Sequence, residues 1–141
     1  MYKRPVIIDR GVLIEKKSDT GADTNFDAND VKWVPGALGA VEKLSTKFDL
    51  YILSFCGKKT EAETRQALSE KVIQYIPAEK WIFTRKREKK VDEMKKHGIP
   101  GLVDDSSDII SLVKNAGLEG YLFRGDKYQT WEPLVEELSS L

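Results

Sequence analysis

Short apolar runs, each ending in a polar or acidic residue and separated by segments of helical period, recur from one end of this chain to the other. Val6-Ile7-Ile8 ends at Asp9, Leu50-Tyr51-Ile52-Leu53 at Ser54, Trp81-Ile82-Phe83 at Thr84, and Leu102-Val103 at Asp104-Asp105. Tyr121-Leu122-Phe123 is a further run. Apolar strands alternating with helical patterns are the mark of a parallel sheet with crossover helices. The expected fold is therefore α/β, a Rossmann-like three-layer sandwich of about five parallel strands flanked by helices. With 141 residues and no linker, repeat or low-complexity segment, the chain reads as a single domain over 1–141.

The helices between the strands have their own signals. Pro35-Gly36 opens one with Leu38, Val41, Leu44 and Phe48 on a face of period 3.6. Thr60 and Glu63 form a capping-box pattern for a helix carrying Ala67, Leu68, Val72 and Tyr75, which Pro77 stops. A helix from about Glu88 turns Val91 and Met94 inward and ends near Gly98. Ser106 or Ser107 caps the next, with Ile109, Ile110, Leu112 and Val113 apolar and Gly117 beyond it. Thr130 caps a last helix containing Leu134, Val135 and Leu138. The stretch from about 14 to 32 is rich in Gly, Asp, Asn and Thr and reads as a flap or long loop, too short for a folded cap domain.

Composition narrows the partners. Lys+Arg and Asp+Glu both total 23, so net charge does not indicate nucleic acid or an anionic membrane surface. The cations are uneven, however, with a short basic run at Arg85-Lys86-Arg87-Glu88-Lys89-Lys90. No apolar stretch approaches a membrane span, and no secretory apolar region precedes the first strand. The lone Cys56 excludes an internal disulfide and fits a reducing compartment. Cytoplasmic is the default expectation.

In an open parallel sheet, chemistry collects in the crevice at the carboxyl ends of the strands. Those ends hold Asp9, Ser54, Thr84 and Asp104-Asp105, with Lys90 shortly before the fourth strand. Carboxylates gathered at one edge repel one another and lose hydration unless a cation joins them. A hard divalent ion such as Mg²⁺ suits such oxygen ligands.

The motifs, taken in order, resemble those of haloacid dehalogenase (HAD) superfamily phosphatases of the small, capless type. Val6-Ile7-Ile8-Asp9-Arg10-Gly11-Val12-Leu13 is similar to the first motif, a strand ending in an aspartate nucleophile. Leu50-Tyr51-Ile52-Leu53-Ser54 resembles the second, and Lys90, fourteen residues before Asp104, stands at a separation typical of the third-motif lysine. Leu102-Val103-Asp104-Asp105, followed by Asp108, resembles the acidic fourth motif. The resemblance implies that Asp9 attacks phosphorus to form an aspartyl-phosphate, and that Ser54 and the backbone at Phe55 hold phosphate oxygens. It implies that Lys90 offsets the gathered charge, and that Asp9, Asp104, Asp105 and the Gly11 carbonyl hold Mg²⁺. Lys89 is the neighbouring alternative to Lys90.

The first motif departs from that pattern. It reads as though one residue had been deleted, and the missing one is the second aspartate, the family's general acid and base. Help of that kind is commonly worth about 10²–10⁴ in rate. A second register sets Gly11 on the motif glycine, puts Ile8 in the nucleophile slot and Arg10 in the acid slot, and destroys the site.

Two functions follow from these features. One is a slow Mg²⁺-dependent phosphatase acting on a phosphorylated substrate of unread size. The other is a catalytically impaired HAD-fold binding or regulatory domain. A nearly open site admits a large phosphoester or a second subunit of a homo-oligomer laid over it. A phosphorylatable receiver domain would carry its acidic pair after the first strand. A dinucleotide enzyme would carry a Gly-rich turn there. Each residue also has a plain reading: Asp9 as a turn former, Asp104-Asp105 as a helix start, and Arg85 and Arg87 as solvated surface rather than as ligands of a distal phosphate. Cys56 and His97 are bystanders, and Trp33, Trp81 and Trp131 are core or rim.

Overall fold

The computed structural model describes residues 3–15 and 31–141. Strands β1 (Arg4–Asp9), β2 (Phe48–Phe55), β3 (Trp81–Thr84), β4 (Gly101–Asp104) and β5 (Glu119–Leu122) form one sheet in the order β3-β2-β1-β4-β5. Every pairing is parallel, with Ile8 set beside Ile52 on one side and Val103 on the other. A central parallel strand is covered on both faces, which is why β1 reads as an unbroken apolar run. Val6 and Ile8 enter one core with Leu50, Ile52 and Val103, joined by side chains of α1 (Ala37–Ser45), α2 (Lys58–Lys71) and α5 (Trp131–Ser139). Ile7 enters the other with Leu53 and Leu102, joined by α3 (Lys90–His97) and α4 (Ser107–Asn115). The period of two along each strand thus builds the three layers.

Several element details differ from the sequence reading. Phe48 is the first residue of β2 and not the last turn of α1, because it pairs with Arg4. The buried face of α1 is Ala37, Ala40, Val41 and Leu44. The helix α2 starts behind Gly57 with no side-chain cap, and Thr60 is buried inside its first turn, so the expected capping box is not its start. That helix ends at Lys71, well before Pro77, and Val72 and Ile76 are buried in the turns that follow. In α4, Ser106 is the cap and accepts from the Ile109 amide, while Leu112 faces solvent. Gly98 closes α3 at φ 66°, a left-handed position that glycine adopts freely. Thr130 precedes α5 without a side-chain cap bond. Trp81 and Trp131 are buried and Trp33 packs against the core.

Of the expected flap, residues 16–30 lie outside the described residues. Its two ends pair antiparallel: Ile14 bridges Trp33, and the Glu15 amide donates to the Lys32 carbonyl at 2.8 Å. Among the described residues, no helix is long and apolar enough to cross a membrane.

Chain order places the site. From β1 the chain moves out to β2 and β3, then returns to β4 on the other side of β1. The crevice at such a reversal, outside the carboxyl ends of β1 and β4, is where open α/β sheets bind ligands. Asp9 and Asp104 are the last residues of those two strands.

Behind the crevice, the buried Trp131 indole N–H donates to the Val12 carbonyl at 2.8 Å, tying α5 to the turn that follows Asp9. Trp131→Phe leaves that carbonyl without its donor and is expected to cost about 1–3 kcal/mol. The check is a lower denaturant midpoint at an unchanged m value. An unchanged midpoint would show that the bond contributes nothing.

Candidate functional site

Asp9 ends β1 and caps a 3-10 turn over Arg10–Val12, its Oδ2 accepting the Gly11 N–H at 2.9 Å. Asp104 ends β4 and repeats the device, with Oδ1 accepting the Ser106 N–H at 3.0 Å. Lys90, the first residue of α3, lies between them. Its Nζ donates to Asp9 Oδ1 at 2.8 Å and to Asp104 Oδ2 at 2.9 Å. All four oxygens therefore meet an N–H donor. The three side chains are nearly sealed from solvent, at 7%, 9% and 1% exposure for Lys90, Asp9 and Asp104.

That burial sets the protonation balance. Burial alone would push the Lys90 ammonium down, but the charges of Asp9 and Asp104 outweigh it and hold it well above the ordinary lysine range. The Asp104 carboxyl is pushed the other way, up to about 7, by burial and then by the charge of Asp9, with Lys90 and the Ser106 amide opposing. One ammonium does not fully compensate two carboxylates in this crevice.

Asp9, Gly11, Ser54, Phe55, Lys90, Asp104 and Asp105 line one pocket of about 120 Å³, whereas Thr84, the strand end of β3, is not among its lining residues and bonds the Lys86 backbone. Asp9 reaches the pocket, whereas Ile8 is wholly buried in the core. Lys90 joins the two carboxylates, whereas Lys89 is exposed and faces Asp92 at 3.6 Å. Ser54 is buried at the end of β2, with its hydroxyl 3.6 Å from Cys56 Sγ. Cys56 itself is buried, and burial pushes its thiol up, against the hydrogen bond from Ser54, so it is a poor nucleophile. His97 lies at the far end of α3 beside Glu93 and Tyr51. Asp108 is exposed and is not among the pocket's lining residues. A larger hollow of about 520 Å³ lies by β5, but its Glu137 is already engaged by Lys127 and Tyr128 and it holds none of the nominated residues.

Asp9, Asp104 and Asp105 each offer an oxygen, and these lie within 4.8 Å of one another. Lys90 alone does not balance the three carboxylates, and a divalent cation would offset negative charge that remains beside it. Hard oxygen donors at this spacing fit Mg²⁺. Gly11 lies between Arg10, whose carbonyl accepts from Leu13 and Ile14, and Val12, whose carbonyl is taken by Trp131.

From the sequence alone Ser106 has no site role and Arg87 reads as surface rather than as a distal-phosphate ligand, yet both line the pocket, as does Arg10. The Arg87 guanidinium bonds the Ser106 hydroxyl, bringing the loop after β3 to the start of α4. Ser106 was legible only as a helix cap, and Arg87 only as one member of a basic run. Arg85 is held by Glu61 at 2.8 Å and by the Cys56 carbonyl at 3.1 Å. In comparison with known proteins, no family description matches the chain, and no curated protein matches it significantly.

Removing Lys90 tests the charge argument. Lys90→Met keeps the length of the side chain but leaves two buried carboxylates without their cation, at an expected cost of about 3–5 kcal/mol near neutral pH. Wild-type Lys90 has its folded-state pKa raised, so its contribution persists through neutral pH and is lost only in alkali. In the variant the penalty belongs to ionised carboxylates and eases as they take up protons, so it should shrink between about pH 8 and about pH 5. Thermal melts at both values decide it. A loss independent of pH would assign the effect to packing.

Proposed function

We propose that this chain is a HAD-like, Mg²⁺-dependent phosphatase that passes a phosphoryl group through Asp9 and turns over slowly. The observation that carries the reading is the Asp9–Lys90–Asp104 bridge, set at the topological switch point with Asp105 and Ser54 in the same pocket. Asp9, Asp104 and Asp105, with the Gly11 carbonyl, would hold the ion. Bound there, Mg²⁺ supplies charge that screens an anionic nucleophile from an anionic ester.

This chain's own groups perform the rest. An Asp9 carboxylate oxygen forms a bond to phosphorus while the ester oxygen leaves with the P–O electron pair. Water then attacks phosphorus, releasing inorganic phosphate and restoring Asp9. Lys90 holds the attacking carboxylate in place and balances its charge. Ser54 and the Phe55 backbone position the phosphate oxygens, and Arg10 and Arg87 add positive charge around them. The pocket has room for a phosphoryl group and an ion rather than for a whole ligand, so the rest of the substrate stays outside.

A specific observation favours a second reading, a binding or regulatory domain with impaired turnover. Two residues beyond Asp9 stands Gly11, which contributes a backbone N–H to Asp9 and no side chain. General acid–base help at that point is absent, and it is commonly worth about 10²–10⁴ in rate. Ionised leaving groups such as p-nitrophenolate need no such help in the first step. The buried, unpaired Cys56 fits a reducing, cytoplasmic setting.

Two outcomes are expected. Mg²⁺ should raise the melting temperature by preferential binding to the folded state, and Asp104→Asn should remove most of the rise. Equal shifts in both proteins would exclude this metal site. With p-nitrophenyl phosphate, a burst of product should precede slow turnover, and acid-quenched mass spectrometry should find phosphate on Asp9. Gly11→Asp, at a position whose φ is not positive, should speed the steady state more than the burst. No adduct on Asp9, and no activity that Asp9→Asn removes, would leave the binding domain as the better reading.

A further inference from the structure

The chain's charge balance hides a local excess beside the pocket. The segments that follow β2 and β3, residues 56–61 with the first turn of α2 and residues 85–89, carry Lys58, Lys59, Arg85, Lys86, Arg87 and Lys89 against the two carboxylates Glu61 and Glu88. Over the whole sequence, acidic and basic residues are equal at 23 each. The two loops are fastened to each other. The Cys56 amide donates to the Thr84 carbonyl at 3.1 Å, and Arg85 Nη1 donates back to the Cys56 carbonyl at 3.1 Å. They also form one wall of the site, since Phe55 and Arg87 line the pocket at their bases.

Charge is therefore divided across the crevice. The pocket carboxylates stand on the β1–β4 side together with Lys90 and Arg10, and the outer cations stand on the β2–β3 side. Arg85 has Glu61 and Lys89 has Asp92. Lys58, Lys59 and Lys86 are exposed, and among the described residues none of them is ion-paired to a carboxylate. Like charges on adjacent loops repel, and they focus a positive field on whatever approaches that side of the pocket. A single phosphate is already matched within the pocket by Lys90, the arginines and the ion. The outer lysines would then meet the next anionic group of the same ligand.

We propose that the substrate is a phosphate ester bearing a second phosphate, held over the loops that follow β2 and β3. This rests on the phosphatase reading above. The shared chemistry is the second phosphate, whether on a small bisphosphate or as the next phosphodiester of a nucleic-acid strand. The ester runs from Asp9 outward across Phe55 and Arg87 toward Lys58, Lys59 and Lys86.

Calorimetry of the full chain with Mg²⁺ tests it through binding and does not need turnover. The probes are phenylphosphonate, thymidine 3′,5′-bisphosphate, and pentathymidylate phosphorylated at both ends. The bisphosphate should bind about tenfold more tightly than the phosphonate. Lys58→Glu, Lys59→Glu and Lys86→Glu together should cut that advantage to about threefold or less, while leaving phosphonate affinity and the thermal melt unchanged. A further gain for the oligonucleotide, falling with salt, assigns the source to strand ends. The absence of that gain assigns it to a small bisphosphate. Equal affinities for phosphonate and bisphosphate, or an advantage that survives charge reversal, overturns the proposal. The phosphatase reading fails separately, by the absence of a p-nitrophenyl phosphate adduct on Asp9.

Discussion

Two carboxylates at the ends of adjacent strands, each nearly shut off from water, cannot both keep their charge unless something compensates them. Here the compensation is the Lys90 ammonium, which joins Asp9 and Asp104 across sequence separations of 81 and 14 residues. A buried ion pair of this kind is weak evidence for stability, because desolvation offsets most of the attraction. Its consequence is geometric. The first residue of α3 is pinned to the last residues of β1 and β4, and the carboxylate oxygens are held in fixed directions by Lys90 and by the amides of Gly11 and Ser106.

The surrounding fold makes that arrangement possible. Strand β1 sits at the centre of the sheet because the chain leaves it in one direction and returns on its other side, so Asp9 and Asp104 become neighbours. The alternation of Val6, Ile7 and Ile8 between two cores commits both faces of β1 to helices. Only the strand's end is left for chemistry. Trp131 reaches from α5 to the carbonyl behind Asp9, so the turn bearing Gly11 is anchored from the core side.

Within that frame, capture of a phosphate and its release make different demands. Capture needs positive charge and a placed nucleophile, and the pocket gathers Lys90, Arg10 and Arg87 around Asp9. Release of the aspartyl-phosphate needs a group to take a proton from water, and the residue two beyond Asp9 is a glycine. The proposed phosphatase is thus better built for its first step than for its second. In the proposed reading, the basic segments after β2 and β3 would extend the capture side beyond the pocket.

The strands and their acidic ends were legible in the sequence because they depend on local pattern. An apolar run covered on both faces reads the same wherever it lies in the sheet, and Asp9, Ser54 and Asp104 follow such runs directly. Signals that depend on competition between neighbours were less legible. Thr60 and Glu63 match a capping box, yet Gly57 starts α2 earlier and Thr60 is buried. Phe48 fits the face of α1, yet pairing with Arg4 draws it into β2. Only the tertiary structure could choose Lys90 over Lys89, since the two are adjacent and equally basic. The choice depends on which of them the start of α3 turns toward β1 and β4. It alone brought Arg10, Arg87 and Ser106 into the pocket, because their meeting depends on strand order across the sheet. Chain sequence determined which groups end the strands. Their separation in space, and therefore their charge balance, was decided by the path of the chain across β1.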